Sequence, residues 1–77
     1  MYKVRKKDEK IVTFDIQKIS NAITKAFEAE DTNYDQGVID FLALKVTADF
    51  ASKVKDDIIN VEDIQDSVER ILQEAGY

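Results

Sequence analysis

The side chains of this sequence that could do chemistry are mainly lysines, and they are concentrated near the N-terminus. Residues 1–25 carry seven basic and three acidic side chains, a net charge of +4, whereas the remaining residues carry four basic and thirteen acidic ones, a net charge of −9. A basic segment on an acidic body suits a compact polyanion, because the acidic remainder would repel a long nucleic acid. A solvated, charged hairpin is the alternative interpretation of the same pattern.

The composition excludes several kinds of catalytic centre. The chain has no His and no Cys, which excludes Ser–His and Cys–His nucleophiles, thiolate metal sites and disulfides. It also has no Gly-rich phosphate loop. No apolar run approaches the roughly 18 residues of a membrane span, and no apolar stretch behind the basic N-terminus resembles a signal peptide. We therefore expect a cytoplasmic protein.

The apolar periodicity predicts one α+β domain over residues 1–77. Residues 2–14 alternate at period two and predict a β-hairpin. Its polar turn lacks Gly, so Asp8 or Glu9 must adopt a positive φ, or the loop must be longer. Apolar spacings of three and four residues predict three helices, at about 16–29, 36–54 and 61–75.

The helices are expected to form a small bundle beneath the hairpin. Asp15 and Asn60 are N-cap candidates for the first and third helices, and Gly76 is a candidate C-terminal stop. The second helix has apolar residues beside its main stripe, which predicts burial on more than one side. These additional apolar positions are Val38, Phe41, Leu44 and Ala48.

Two segments carry motifs. Residues 4–19 combine a valine-containing strand, a basic pair, an acidic turn, a second strand ending in Phe14-Asp15, and a helix with Lys18-Ile19 in its first turn. Residues 61–68 contain an Ile-Gln-Asp run, and the chain ends in Gly-Tyr. In this order and at this separation, the segments resemble the ATP-cone, a nucleotide-sensing regulatory domain at the N-terminus of many ribonucleotide reductases. The resemblance covers the whole chain.

The resemblance implies an allosteric site for ATP or dATP, with or without Mg²⁺, in which the nucleotide is bound and not turned over. The site would control the activity of an attached reductase catalytic subunit and its association with neighbouring subunits. The residues that the resemblance assigns are Val4 and Ile64 against the adenine, Val61 at the pocket wall, Asp15 near the ribose, and Lys6, Lys7 and Lys18 at the phosphates and ribose.

Each of these residues also has a structural explanation. Val4 and Ile64 fit core positions, and Asp15 fits a helix cap. The lysines could simply be solvated or keep an edge strand soluble. Lys6 and Lys7 are expected on opposite faces of the first strand, so that only one of them points directly at a shared site.

Three other functions stay open. The same cone occurs in a transcriptional repressor of reductase genes, behind a zinc ribbon with four cysteines; here Met1 directly precedes the first strand, which favours the reductase. A nucleic-acid-binding hairpin would bind in a salt-dependent manner, with only Tyr2 and Phe14 for base stacking. A protein-interaction domain would use an exposed apolar stripe.

The sequence departs from the family pattern at two places. Glu9 stands where family members usually have Gly in the hairpin turn. The family also continues past the Gly-Tyr pair with a fourth helix, which leads us to interpret the chain as a fragment. We therefore expect self-association or reduced stability, because one of two apolar stripes would be left exposed to water. These stripes are Ile39–Leu42–Val46–Phe50 and Val68–Leu72.

Overall fold

The computed structural model describes residues 2–76 and has the expected α+β class. Three short strands form one sheet, and three helices pack beneath it. The strands are β1 (Lys3–Arg5), β2 (Ile11–Thr13) and β3 (Ile58–Asn60), and the helices are α1 (Ile16–Ala29), α2 (Gln36–Phe50) and α3 (Val61–Glu74), with a 3₁₀ turn at Ala51–Lys53.

Strand β1 lies in the centre of the sheet. Its Val4 is opposite Val12 in the antiparallel pair with β2 and opposite Ile59 in the parallel pair with β3. The sequence predicts only the hairpin, because a three-residue strand is too short to show an alternating pattern. Strand β3 supplies hydrogen-bond partners to the edge of β1 that β2 leaves unpaired.

The hairpin turn closes without glycine. Glu9 adopts a φ of 71°, and its N–H donates to the carbonyl of Lys6 at 2.9 Å. The N–H of Lys6 in turn donates to the carbonyl of Lys10 at 2.8 Å. Of the alternatives left open by the sequence, a positive φ at Glu9 is therefore the one that the chain adopts.

Two of the three helices begin with a side-chain cap. Asp15 accepts a hydrogen bond from the N–H of Gln17, and Asp35 accepts one from the N–H of Val38, both at 3.0 Å. Asn60 precedes α3 but makes no side-chain cap bond. Its Oδ1 instead accepts from Arg5 Nη1 at 3.4 Å. Asn60 therefore occupies the expected N-cap position, but its side chain does not cap the helix.

Helix α2 is shorter than the predicted range of 36–54, since it ends at Phe50. A 3₁₀ turn follows, and Val54 is already extended. The chain must then reverse into β3, and it does so through Asp56 and Asp57, with φ values of 53° and 62°. The predicted extension of the helix would leave no room for this reversal. Helix α3 similarly ends at Glu74, one residue before the predicted limit.

Helix α2 is the centre of the core, because it packs against both α1 and α3. Ile39, Val46 and Phe50 are fully buried. The Phe50 ring also holds the sheet to the helices, with its centroid 6.1 Å from the ring of Tyr2 and 5.7 Å from that of Phe14. These edge-to-face contacts fix the hairpin over the bundle.

The exposure of the apolar side chains differs from expectation in two places. Of the two stripes expected to be left open to water, Ile39–Leu42–Val46–Phe50 is buried, whereas Val68 and Leu72 are half-buried and so remain partly open. Conversely, α2 is not buried on a second side, because Phe41 and Leu44 are 60% and 61% exposed and Ala48 is exposed. The reason is that the buried positions of α2 all fall on one face of the helix, which serves both of its neighbours.

Candidate functional site

An apolar cleft of about 310 Å³ lies between the hairpin and the helices α1 and α3. Its buried side chains are Val4, Ile19 and Ile64, which are at most 9% exposed. The other apolar side chains that line it are Val12, Phe14, Ala22, Val61 and Val68, and the polar ones are Lys6, Thr13, Asp15, Lys18 and Gln65. The cleft can therefore hold a flat apolar group next to a charged one.

The cleft brings together six of the seven site residues predicted from the sequence. Val4 reaches it from the central strand, where its side chain is buried against the helices. Asp15 and Lys18 come from the start of α1, and Val61 and Ile64 from the first turn of α3. Lys6 is the sixth and enters from the hairpin.

Lys7 does not line the cleft. It lies in a neighbouring polar depression of about 360 Å³, which Arg5, Lys6, Glu9 and the first residues of α3 also line. The expectation that both lysines belong to the first strand is wrong, since β1 ends at Arg5 and both lie in the hairpin loop. The cleft and the depression share Lys6 and Val61, so the two spaces meet there.

The lysines at this junction have no ion-pair partner among residues 2–76. Among residues 2–76, the ion pairs within 4.0 Å are Arg5–Glu9, Lys10–Asp8, Lys53–Asp63 and Arg70–Asp49. Lys6, Lys7 and Lys18 are in none of these, and all three side chains are exposed. Their ammonium groups are thus available to an external anion.

Asp15 combines a structural role with an exposed position at the cleft. One carboxylate oxygen, Oδ1, accepts the hydrogen bond from the N–H of Gln17 that caps α1. The other oxygen has no hydrogen-bond partner among the described residues. It can therefore accept from a hydroxyl group bound in the cleft.

Gln65 and Thr13 also line the cleft, although the sequence reasoning did not select them. Gln65 follows Ile64 directly and lies four residues after Val61, so it shares a helix face with a predicted site residue. That spacing is the signal that could have identified it. Thr13 ends β2, and its sequence context gives no such signal.

The donor chemistry of the described residues does not favour a protein-held metal ion. Within residues 2–76, no three or more His, Cys, Asp or Glu side chains are grouped so that they could hold one. Among the same residues, no helix is long and apolar enough to cross a membrane.

Residues 2–77 match the ATP cone domain family. The chain belongs to the ATP-cone family. No curated protein matches it at a significant level. ATP-cones are regulatory modules that bind nucleotide effectors such as ATP, and they are not catalytic.

The residues of this ATP-cone fit such a ligand. The apolar cleft offers a place for a base, and the lysines beside it, which have no ion-pair partner within residues 2–76, offer charge for phosphates. Its volume is at the lower end of the range of about 300–1,000 Å³ for small-molecule sites. By contrast, Tyr2 and Phe14 are half-buried in edge contacts with Phe50, so they are poorly placed for stacking on nucleic-acid bases.

Proposed function

We propose that this ATP-cone is the allosteric effector domain of a ribonucleotide reductase. It binds ATP or dATP and controls the overall activity of the attached catalytic subunit. The cytoplasmic enzyme thereby supplies deoxyribonucleotides for DNA replication. The observation that carries the proposal is the junction of an apolar cleft with Lys6 and Lys18, neither of which has an ion-pair partner among residues 2–76.

The adenine ring occupies the apolar part of the cleft. Val4 and Ile64 pack on it from the sheet and from α3, and Val61 forms the wall at the junction with the polar depression. Burying the apolar surface of the base in this way contributes about 25 cal/mol per Å². Apolar packing alone accepts any purine, so recognition of the base requires polar groups at its edge.

The phosphates leave the cleft past the lysines. Lys18 and Lys6 contact the ribose and the first phosphates. Lys7, in the adjoining depression, contacts the terminal phosphate. Each charge-assisted hydrogen bond contributes about 1.5–3 kcal/mol. Mg²⁺, where it accompanies the triphosphate, would be bound by phosphate oxygens together with at most one or two carboxylates, as is usual for this ion in nucleotide sites.

ATP and dATP differ only by the ribose 2′-hydroxyl, so discrimination requires a contact at that atom. Asp15 is the candidate acceptor for the 2′-hydroxyl, because its second carboxylate oxygen has no hydrogen-bond partner among the described residues. A difference of about 1–3 kcal/mol between two effectors is typical of allosteric coupling. The response to that difference requires the attached catalytic subunit.

Titration with ATP, dATP, GTP and short single-stranded oligonucleotides tests the binding part of the proposal. We expect ATP or dATP to raise the melting temperature by mass action, equivalent to about 2.7 kcal/mol at a hundredfold excess over the Kd. We expect oligonucleotides to have little effect. Equal or larger shifts with oligonucleotides would instead support the nucleic-acid function.

The reductase part needs a separate experiment. The domain is fused ahead of a reductase catalytic subunit that lacks a cone, and activity is measured as ATP and dATP are varied. We expect ATP to sustain activity and dATP to suppress it. Nucleotide binding without any change in activity would contradict the reductase assignment while leaving the binding site intact.

A further inference from the structure

Arg5 lies between two acceptor groups at the edge of the polar depression. Its Nε is 3.8 Å from Oε2 of Glu9, and its Nη1 donates to Oδ1 of Asn60 at 3.4 Å. All three residues line the depression, as does Lys7. Arg5 reaches it from the end of β1, Glu9 from the hairpin turn and Asn60 from the end of β3. The guanidinium is therefore at the place where the proposed phosphate chain ends.

Both contacts of Arg5 are weak. Charge-assisted hydrogen bonds of a guanidinium are typically about 2.7–2.9 Å long, and Arg70 in this chain donates to Asp49 at 2.6 Å. The side chains of Arg5 and Glu9 are 43% and 82% exposed, and an exposed ion pair of this kind contributes little to stability. Arginine has five N–H donors, and the described residues engage two of those of Arg5. An external anion can therefore replace Glu9 at little cost.

Glu9 adopts a conformation that its residue type disfavours. Its φ of 71° lies in the left-handed region, which glycine adopts freely and other residues adopt at a cost. The turn needs this conformation, because the N–H of Glu9 donates to the carbonyl of Lys6 at 2.9 Å. The turn does not need the carboxylate, since this bond is made by backbone atoms alone. Backbone strain at a candidate site suggests a function, and for Glu9 the feature to be explained is its charge.

We propose that Glu9 is an internal competitor for the terminal phosphate of the nucleotide: its carboxylate pairs with Arg5 in the free domain and is displaced when a triphosphate reaches the depression. The inference rests on the proposed nucleotide site and adds a specificity-determining pair to it. The terminal phosphate carries about 1.5–2 negative charges at pH 7, against one for Glu9, and can accept two parallel hydrogen bonds from a guanidinium. Asn60 is neutral, so it can keep its hydrogen bond to Arg5 while Glu9 turns into solvent.

The competition makes affinity depend on the length of the phosphate chain. A monophosphate that stays in the cleft beside Lys6 and Lys18 leaves the pair of Arg5 and Glu9 intact. A triphosphate reaches Arg5 and gains its hydrogen bonds, but only after that pair is broken. Glu9 therefore lowers the affinity for ATP and not the affinity for AMP. The domain responds to a higher concentration of triphosphate than the same site without this carboxylate would require.

Calorimetric titration of ATP and AMP against Glu9→Gln tests the competition. Glutamine keeps the size of the side chain and the positive φ, and removes only the charge. We expect this variant to bind ATP about twofold to fivefold more tightly than the native chain, the value of one exposed ion pair that no longer has to be broken. We expect its affinity for AMP to be unchanged. An unchanged affinity for ATP, or an equal gain for AMP, would overturn the proposal.

Asp8→Asn is the matched control for the change in net charge. Asp8 precedes Glu9 in the same turn but lines neither the cleft nor the depression. Its Oδ1 accepts from the backbone N–H of Lys10 at 3.1 Å, and asparagine retains that oxygen. This variant should bind ATP like the native chain. A gain as large as that of Glu9→Gln would show a general effect of net charge and would contradict competition at Arg5.

Substitution of Arg5 determines whether Glu9 acts through the guanidinium. Arg5→Gln should weaken ATP binding about fivefold or more, because a charged contact to the terminal phosphate is lost, and should leave AMP binding unchanged. Adding Glu9→Gln to Arg5→Gln should bring no further change, since the pair no longer exists. If Glu9→Gln tightens ATP binding equally with and without Arg5, the carboxylate repels the phosphate directly and the competition is wrong.

Glu9→Gly separates the charge of Glu9 from the geometry of the turn. Glycine removes the carboxylate and adopts the positive φ without a penalty, so this variant should melt at a higher temperature than the native chain and bind ATP as tightly as Glu9→Gln. Tighter binding in Glu9→Gly but not in Glu9→Gln would assign the effect to the turn and overturn the proposal. Circular dichroism establishes that each variant is folded, which is expected for surface positions.

The native chain separates failure of this inference from failure of the proposed function. If the native chain binds neither ATP nor AMP, the nucleotide site and the competition at Arg5 are both wrong. If it binds ATP with an affinity that Glu9→Gln leaves unchanged, the nucleotide site stands and only the competition by Glu9 is wrong.

Discussion

Asp15 and Lys18 are joined through the first turn of α1. The backbone N–H of Lys18 donates to the carbonyl of Asp15 at 3.0 Å, and the Asp15 side chain accepts from the N–H of Gln17, also at 3.0 Å. The residue that follows the hairpin thus fixes the start of the helix from which Lys18 reaches the cleft. A structural role and a proposed ligand contact depend on one carboxylate, and substitution can separate them.

Asp15→Ser should separate the two roles. Serine retains an N-cap acceptor, so this variant should keep nearly native stability, whereas Asp15→Ala should lose about 0.5–2 kcal/mol. Both variants remove the proposed acceptor for the ribose hydroxyl and should reduce the preference between ATP and dATP. Urea unfolding and calorimetric titration measure the two effects. Native nucleotide preference in Asp15→Ser would show that Asp15 is only a cap.

Lys6→Ala and Lys18→Ala should each weaken ATP binding about tenfold to a hundredfold, the loss of about one charged contact. Stability should change little, because both side chains are exposed. Lys10→Ala is the matched control, since Lys10 lines neither the cleft nor the depression and pairs with Asp8 at 3.9 Å. Unchanged calorimetric affinity in both test variants would remove the phosphate assignment.

Lys7→Ala should have a smaller effect than either of these substitutions. Lys7 lines only the polar depression, so it can contact only the end of the phosphate chain. Its effect should therefore fall when ADP or AMP replaces ATP. A loss of affinity that is the same for AMP and ATP would contradict this position for Lys7.

The sequence predicts the bounds of an element correctly where that element carries its own apolar periodicity and cap. Helix α1 spans the range that its periodicity indicates, and its start is marked by the Asp15 cap. Strand β3 was missed because it has three residues and forms only through its pairing with β1. The end of α2 was misplaced because Val54 continues the apolar pattern, although the chain must turn there.

The sequence predicts the residues that line the cleft better than it predicts which apolar residues are exposed. Six of the seven predicted site residues line one cleft, because the motif fixes their order along elements that converge there. Phe41 and Leu44 were expected to be buried, because a pattern records apolar character and not the number of neighbouring elements. Both neighbours of α2 pack on its other face, and only the tertiary arrangement determines that.

Gln65 should read the edge of the base. It is the only carboxamide side chain among the described residues that line the cleft, and amides pair well with the donor and acceptor edge of adenine. Gln65→Leu keeps a similar volume and should reduce the preference for ATP over GTP about tenfold, the value of roughly one hydrogen bond. Gln73→Leu on the same helix lies outside the cleft and serves as the control.

Competition titrations of ATP and GTP against each variant measure this preference directly. If Gln65→Leu and Gln73→Leu both keep the native ratio, the base is recognised by other groups. An equal loss of affinity for both nucleotides in Gln65→Leu would show that Gln65 packs against the base and does not recognise its edge.

The ion pair between Asp49 of α2 and Arg70 of α3 should make the free energy of unfolding depend on pH in the acidic range. Arg70 donates from Nη2 to Oδ2 of Asp49 at 2.6 Å, and this hydrogen bond holds the pKa of Asp49 below its ordinary value of 3.8. A carboxyl group whose pKa is lower in the folded state contributes stability above its unfolded pKa. That contribution is lost as the pH falls through the folded pKa.

Asp49→Asn should therefore be less stable than the native chain at neutral pH, by an amount that stays constant down to about pH 5 and disappears below the ordinary pKa of 3.8. Arg70 stays protonated throughout, because Asp49 raises its pKa further above an ordinary value that is already high. Glu69→Gln, which removes a carboxylate without an ion pair among the described residues, controls for the change in net charge. Urea unfolding at a series of pH values gives the difference in free energy for each variant. A difference between native and Asp49→Asn that persists unchanged into strong acid would show that Asp49 stabilises the fold through packing and not through its charge.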